Sequence, residues 1–182
     1  MAIKINYTRS FVLFWGATMA LAIYTGGILN LAFVLIALLM LVWHEHAHAA
    51  HALRSGGTVH EIGFTWLGGY VIAEMQSLVD RPGFFMAGVK NTVGLAIVFI
   101  AMDCGAILVF RELSINLAMN PYLNLLNCAV VFAVLLSLSN ILPVSYYWKE
   151  RDILITTDAW AAHISSEGYE LWNDGKYLTP TY

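Results

Sequence analysis

Four long apolar runs limit what this chain can fold into. Each run is long enough, with some tilt, to cross a hydrocarbon core of about 30 Å. The predicted spans are residues 9–25, 29–53, 84–110 and 121–142. Over the whole sequence 59% of the residues are hydrophobic and 12% are charged, whereas soluble domains carry roughly twice that share of charge. The sequence therefore predicts an integral membrane protein that is mainly α-helical, with about four transmembrane helices.

The segment between the second and third spans has a different composition. Residues 58–76 are rich in β-branched and aromatic residues and are interrupted by glycines, a pattern typical of strands. We expect a small membrane-associated β-hairpin or sheet there. After the last span, Thr156-Thr157-Asp158 resembles a helix N-cap that follows a polar, aromatic loop. Residues 1–182 are thus predicted to form one membrane-embedded unit with a C-terminal cytoplasmic segment, 144–182.

The basic residues are distributed unevenly between the two sides of the predicted bundle. If four spans are drawn, Arg111 alone falls on one side. The other side holds Lys4, Arg9, Arg54, Arg81, Lys90, Lys149, Arg151 and Lys176. The positive-inside rule then places both termini and the histidine-rich end of the second span in the cytoplasm. The net charge of −3 offers no basic patch for nucleic acid.

The second span ends in a cluster of four histidines and a glutamate. His44, Glu45 and His48 form an H-E-x-x-H motif. Residues four apart lie on one helix face, about 5–6 Å from each other, so two imidazoles can bind one zinc ion. Glu45 borders that face, where it can take a proton from metal-bound water without being a ligand. Because ionisable groups inside a span are costly, the cluster indicates a functional site.

The remaining histidines have less specific interpretations. His51 lies one turn beyond His48 and is either a polar residue at the helix end or a further ligand or partner of the site. His46 points away from the motif face. We expect His60 and His163 at the surface or at an interface. The two cysteines, Cys104 and Cys128, lie in apolar runs without metal-type spacing, which predicts buried thiols.

Two further motifs follow in the chain. They are Val59-x-Glu61-Ile62 leading to Leu67-Gly68-Gly69-Tyr70-Val71, and Asn140-x-x-Pro143 at the end of the fourth span. Together with the H-E-x-x-H motif they resemble the site-2 protease family of intramembrane zinc metalloproteases, over roughly residues 30–165. The resemblance implies a near-minimal catalytic core in a prokaryotic plasma membrane. Such a core binds one Zn²⁺ per chain and cleaves transmembrane segments of single-span membrane-protein substrates.

The resemblance also implies roles for individual residues. His44 and His48 would bind the metal, Glu45 would be the catalytic base, and Gly68, Gly69, Tyr70 and Asn140 would contact the substrate. The glycine-rich strand would pair with an unwound substrate segment by β-augmentation. The Asn140 side chain is equally well interpreted as part of a helix terminus beside Pro143.

The chain departs from the family pattern in two places. Ala87-Gly88-Val89-Lys90-Asn91 lacks the proline usual at the start of the third core helix, and its asparagine comes one residue early. The third metal ligand of the family is the aspartate of an Asp-Gly pair, which this chain lacks. Asp152 is nearer to the usual spacing but lies in a charged cluster. Asp158 stands at a predicted helix start in apolar surroundings, and we favour it as the ligand.

Two other functions remain open from the sequence. The missing Asp-Gly pair is compatible with a catalytically inactive relative that serves as a membrane adaptor. A membrane di-iron oxygenase also uses histidines at helix ends, but it needs several histidine clusters. This chain has six histidines and one cluster.

Overall fold

Helices dominate the computed structural model, which describes residues 3–66, 68–75, 80–113, 116, 120–142, 145–148, 153–166, 169–170 and 179–180. The helices are α1 (Arg9–Arg54), α2 (Arg81–Glu112), α3 (Pro121–Ile141) and α4 (Asp158–Ser166). Among the described helices, α1, α2 and α3 are long and apolar enough to cross a membrane. The strands are β1 (Lys4–Tyr7), β2 (Thr58–Thr65), β3 (Gly68–Glu74), β4 (Ser145–Trp148), β5 (Ile153–Thr156), β6 (Tyr169–Glu170) and β7 (Thr179–Pro180).

Helix α1 folds back on itself at Gly27. This residue has φ 62° and ψ −141°, a conformation open to glycine because it has no Cβ. Phe11, before the break, belongs to the same apolar cluster as Leu41 and Ala49, after it. A straight helix would hold Phe11 and Ala49 about 57 Å apart. The two arms of α1, residues 9–26 and 28–54, therefore lie alongside each other.

The helix boundaries refine the predicted spans. The first two predicted spans are the two arms of one helix, and the predicted turn is a break at the single residue Gly27. The third span begins three residues earlier than expected, at Arg81, with Pro82 in its first turn, where a missing N–H costs no helix hydrogen bond. Helix α3 ends at Ile141, one residue before the predicted end. The predicted four transmembrane helices thus correspond to three candidate spanning helices in the structure.

A three-stranded sheet lies against the two arms of α1. Strands β2 and β3 form the predicted antiparallel hairpin, which is confirmed, and β1 adds to β2 in parallel, giving the order β1-β2-β3. Ile62 and Phe64 of β2 are buried in the same cluster as Phe11 and Ala52 of α1. Because side chains alternate across a strand, this burial fixes the register of the sheet against the helix. Strand β1 was not expected from the sequence.

Small residues form the contact between the spanning helices. Ala96 of α2 packs with Ala129 and Ala133 of α3 and with Met40 of α1. In a membrane, side chains of this size allow helix backbones to approach closely. Cys104 and Cys128 are exposed on the outer surfaces of α2 and α3, so the prediction of buried thiols was wrong.

The segment after α3 contains more regular structure than the sequence predicted. Strands β4 and β5 form an antiparallel hairpin where a loop was expected. Helix α4 begins at Asp158, and the N–H of Ala161 donates to the carbonyl of Thr157 at 2.9 Å, in agreement with the predicted N-cap. Ala161 and Ala162 are buried where α4 packs against α2 and α3. This packing brings the first residue of α4 to the histidine-rich end of α1.

Candidate metal centre

Three side chains from two distant parts of the chain converge at one point. The Oδ2 atom of Asp158 lies 3.1 Å from Nε2 of His44 and 3.2 Å from Nε2 of His48. The two Nε2 atoms lie 3.3 Å from each other. Both imidazoles are buried, and the Asp158 side chain is 13% exposed. Three potential ligand atoms thus form a small triangle that is largely closed to solvent.

The size of this triangle fits a tetrahedral zinc ion. Zinc binds imidazole nitrogen and carboxylate oxygen at about 2.0–2.1 Å, so two ligand atoms of a tetrahedral site lie roughly 3.3 Å apart. The three observed separations are 3.1, 3.2 and 3.3 Å. His44, His48 and Asp158 are the residues that could hold a metal ion in this part of the structure. Three protein ligands would leave one position for water or substrate, as in catalytic zinc sites.

A hydrogen bond sets the tautomer of His48. Its Nδ1 lies 2.8 Å from the carbonyl oxygen of Phe84. Since a carbonyl can only accept, Nδ1 carries the proton, and a neutral imidazole then presents the lone pair of Nε2 to the centre. Phe84 belongs to the first turn of α2, so this helix orients a ligand that α1 supplies. The Nδ1 of His44 is buried without a hydrogen-bond partner among the described residues.

Gly88 of α2 makes room for the centre. A Cβ atom at this position would collide with Nε2 of His48 and Oδ2 of Asp158, and would lie 2.6 Å from Cε1 of His44. The backbone of α2 therefore packs directly on the ligand triangle, and only glycine lets it come so close. In the sequence, Gly88 lies in the segment Ala87-Gly88-Val89-Lys90-Asn91, which differs from the expected pattern. No role was predicted for Gly88 itself.

A reciprocal pair of hydrogen bonds holds α2 against α1 beside the ligands. The indole N–H of Trp43 donates to Oδ1 of Asn91 at 2.9 Å, and the Asn91 amide donates to the Trp43 carbonyl at 3.2 Å. Trp43 precedes His44, and Asn91 lies one turn after Gly88. Asn91 therefore holds α2 against α1 at the residue before His44.

Glu45 lies between the ligand triangle and strand β3. Its Oε1 is 4.0 Å from Nε2 of His44, and the side chain is buried. A Cβ at Gly69 would collide with the Glu45 side chain, including its carboxylate. The carboxylate is thus beside the centre without belonging to it, and the glycine of β3 allows the sheet to approach it.

Tyr70 has a different position from the one expected of a substrate contact. Its hydroxyl donates to Oε1 of Glu61 at 2.6 Å, and its ring covers Gly63, where a Cβ would collide with it. Glu61 also accepts from Asn6 at 2.9 Å and pairs with Lys4 at 3.2 Å. These partners, Tyr70 first, lower the pKa of the Glu61 carboxyl to about 2. Tyr70 therefore ties the three strands together.

The other described candidate residues contact groups outside the ligand triangle. The Asn140 amide donates to the carbonyl of Leu136 in its own helix at 2.8 Å. His51 approaches Gly83, and its Nε2 is buried without a hydrogen-bond partner among the described residues. His46 bonds to the Val42 carbonyl at 2.9 Å on an exposed face. His60 lies 3.5 Å from Glu74, and His163 is exposed beside Trp160. Asp152 lies outside the described residues.

Comparison with protein-family models finds no match, and comparison with curated proteins finds no significant one. The features of the molecule that indicate a function are therefore the residues of the centre and the elements that hold them.

Proposed function

We propose that this protein is an intramembrane zinc endopeptidase, similar to the site-2 proteases, that cleaves transmembrane segments of single-span membrane proteins. One observation carries the proposal. His44, His48 and Asp158 converge within 3.3 Å of one another, with buried Glu45 beside them, at the end of an apolar helix. The side chains are those of a catalytic zinc site with three protein ligands and a neighbouring general base.

The residues of the centre divide the chemistry between them. A zinc ion bound there would act as a Lewis acid and lower the pKa of a coordinated water toward ~7. Glu45 is placed to accept the proton of the attacking water and to return it to the leaving amine. In neutral His48, the bond from Nδ1–H to the Phe84 carbonyl leaves Nε2 as the nitrogen that can bind the metal. The protein's own groups thus cover both proton transfers of peptide hydrolysis.

The position of β3 supports the idea that the substrate is bound as a strand. A transmembrane helix hides its carbonyls in its own hydrogen bonds, so it must unwind before it can be cleaved. Among the described strands, β3 pairs only with β2, and its other edge pairs with no described strand. Gly69 of this strand touches the base, Glu45. An unwound substrate segment that added to β3 would lie beside the catalytic carboxylate.

The proposed topology follows from the charge distribution rather than from the fold. Placing both termini and the His44 end of α1 in the cytoplasm satisfies the positive-inside rule. It also puts the centre near a membrane surface, which shortens the path of water to the metal.

The base is tested by replacing Glu45 with Gln. Cleavage of a model single-span substrate in detergent or vesicles is compared for the wild type, Glu45→Gln and the control Glu112→Gln, which alters an exposed residue at the end of α2. We expect Glu45→Gln to retain bound metal and to lose about 10²–10⁴-fold in cleavage rate. The control should match the wild type. Equal cleavage by all three proteins would rule out Glu45 as the base.

The metal content of the wild-type protein distinguishes the proposed peptidase from a di-iron oxygenase and from an inactive adaptor. Zinc supports the peptidase, whereas two irons per chain would indicate an oxygenase. Absence of metal, together with absence of cleavage, would indicate an adaptor.

A further inference from the structure

A cavity of about 290 Å³ lies between the two arms of α1, the turn of the hairpin and α3. It is separate from the ligand triangle, and neither the zinc site nor the base accounts for it. The residues that define its walls are Trp15, Leu41, Trp66, Gly68, Phe132 and Ser139.

The lining of the cavity selects an apolar occupant. Ser139 contributes a hydroxyl, but this group donates to the carbonyl of Leu136 at 2.9 Å within α3. The carbonyl of Gly68 accepts from the Thr65 hydroxyl at 3.1 Å. These two wall groups are already hydrogen-bonded, whereas the indole N–H of Trp15 is buried without a hydrogen-bond partner among the described residues. The wall thus offers one donor, and an occupant with further polar groups would lose the bonds of those groups to water without replacement. Aromatic and aliphatic side chains make up the rest of the wall.

The cavity lies next to the catalytic centre along two elements. On α1, Leu41 is one helical turn before Glu45, so the two side chains are neighbours on one face. On β3, Gly68 at the cavity wall directly precedes Gly69, which touches Glu45. A strand added to the edge of β3 away from β2 would therefore pass the base and the cavity at neighbouring positions.

We propose that this cavity is a specificity subsite that binds one bulky apolar side chain of the substrate strand. The inference rests on the proposed function. Because a strand advances about 3.4 Å per residue, the bound side chain belongs to a residue within about two positions of the scissile bond. The side chains of Leu and Phe can pack against the apolar wall. The side chains of Asp and Lys are charged, and Gly has no side chain to place there. Preferred substrates are then transmembrane segments with a large apolar residue next to the cleaved bond.

The cavity favours a side chain over a lipid chain as its occupant. Its wall includes the first residue of the strand that borders the base, so a polypeptide on that strand reaches the cavity without leaving its path.

The kinetic test uses substrates that differ at single positions near the cleaved bond. For each position the ratio of kcat/KM between the Leu and Ala substrates is measured. We expect one position at which the wild type prefers Leu, and we expect Ser139→Phe, which fills the cavity, to lower that ratio at least about tenfold. The control Leu138→Phe alters the neighbouring residue, which is half exposed on the outer surface of α3, and should leave the ratio unchanged. A ratio that is the same in wild type, variant and control would overturn the inference.

A binding measurement makes the test independent of catalysis. In a Glu45→Gln protein without Cys104 and Cys128, Ser139→Cys should form a disulfide with a substrate that carries cysteine at the preferred position, and not with neighbouring positions. Cross-linking without cleavage by the wild type would support the subsite and contradict the proposed function. Cleavage with neither a changed ratio nor a cross-link would contradict the subsite alone, as expected if lipid fills the cavity. Absence of both cleavage and cross-linking would overturn both.

Discussion

Gly88 shows how one residue without a reactive group can allow potential metal ligands to converge. Its hydrogen takes the place where any other side chain would meet His48 and Asp158. Helix α2 can pack on the ligands only because that space is free. The absence of a side chain at Gly88 thus lets the backbone of α2 lie directly beside ligand atoms that come from α1 and α4.

Replacing Gly88 with Ala should disrupt metal binding, and Gly94→Ala is the matched control. Gly94 lies in the same helix, and a Cβ there would meet nothing within 4 Å among the described atoms. We expect Gly88→Ala to lower zinc affinity at least about tenfold, since displacement of even a supporting contact costs 10–100-fold. Gly94→Ala should bind zinc like the wild type. Competition with a coloured chelator measures both, and equal affinities would contradict the observed packing.

Sequence reasoning located part of the centre for a clear physical reason. His44, Glu45 and His48 are related by helical spacing, a local pattern that can be recognised in the sequence. Asp158 comes from an element 110 residues further on. Its contact leaves no local pattern, so the sequence favoured it only through the family resemblance and its position at a predicted helix start in apolar surroundings. Gly88 and the Phe84 carbonyl gave no signal as ligand-supporting groups, because close packing and backbone hydrogen bonds leave little trace in residue types.

At the scale of elements, the shape of α1 depends on one residue. Only the break at Gly27 lets the first arm pack beside the second and meet the sheet. Without it α1 would be a single rod about 69 Å long, about twice the thickness of the hydrocarbon core.

Gly27→Ala should therefore destabilise the protein, whereas Gly16→Ala should not. Gly27 has φ +62°, and Gly16 sits inside the first arm with nothing within 4 Å of an added Cβ among the described atoms. A non-glycine residue in this backbone region costs about 1–3 kcal/mol. Alanine at position 16 is neutral or gains up to about 1 kcal/mol of helix stability. Unfolding titrations in micelles with a denaturing detergent compare the variants, and equal midpoints would contradict the proposed break.

The sheet makes a separate prediction about acid. Tyr70 and Asn6 lower the pKa of Glu61 from 4.5 to about 2. A carboxyl whose pKa is lower in the folded state stabilises the fold fully above its unfolded pKa. That contribution is lost as the pH falls from about 4.5 towards 2. We expect the unfolding midpoint of the wild type to fall over this range more steeply than that of Glu61→Gln.

Glu112→Gln is the control for this acid titration, because its exposed carboxylate lies far from the sheet in sequence and at the end of α2. It should follow the wild-type profile. Parallel profiles for the wild type and Glu61→Gln would show that the contacts of Glu61 do not stabilise the folded protein.

The elements that were not predicted from the sequence lack a clear local sequence signal. The hairpin of β2 and β3 was predictable because its two strands adjoin in the chain and two glycines begin the second strand. Strand β1 has four residues and pairs with residues more than 50 positions away, so nothing near it indicates a strand. The hairpin of β4 and β5 was interpreted as a loop because its aromatic residues stand beside a run of charges.

At the scale of the whole molecule, the fold assembles one site from four elements. Helix α1 supplies two imidazoles and the Glu45 carboxylate, α2 supplies the packing surface, α4 supplies the Asp158 carboxylate and β3 borders Glu45. The carboxylate comes from a short helix outside the candidate spanning helices. Its buried alanines hold α4 against α2, so docking of this helix completes the ligand set.

The zinc content of the purified protein and of two aspartate variants tests the central claim most directly. The account predicts stoichiometric zinc in the wild type and in Asp152→Ala, with at least about a 100-fold loss of affinity in Asp158→Ala, because a direct ligand matters at least as much as a supporting group. Wild-type protein that binds no zinc, or a loss confined to Asp152→Ala, would contradict the account.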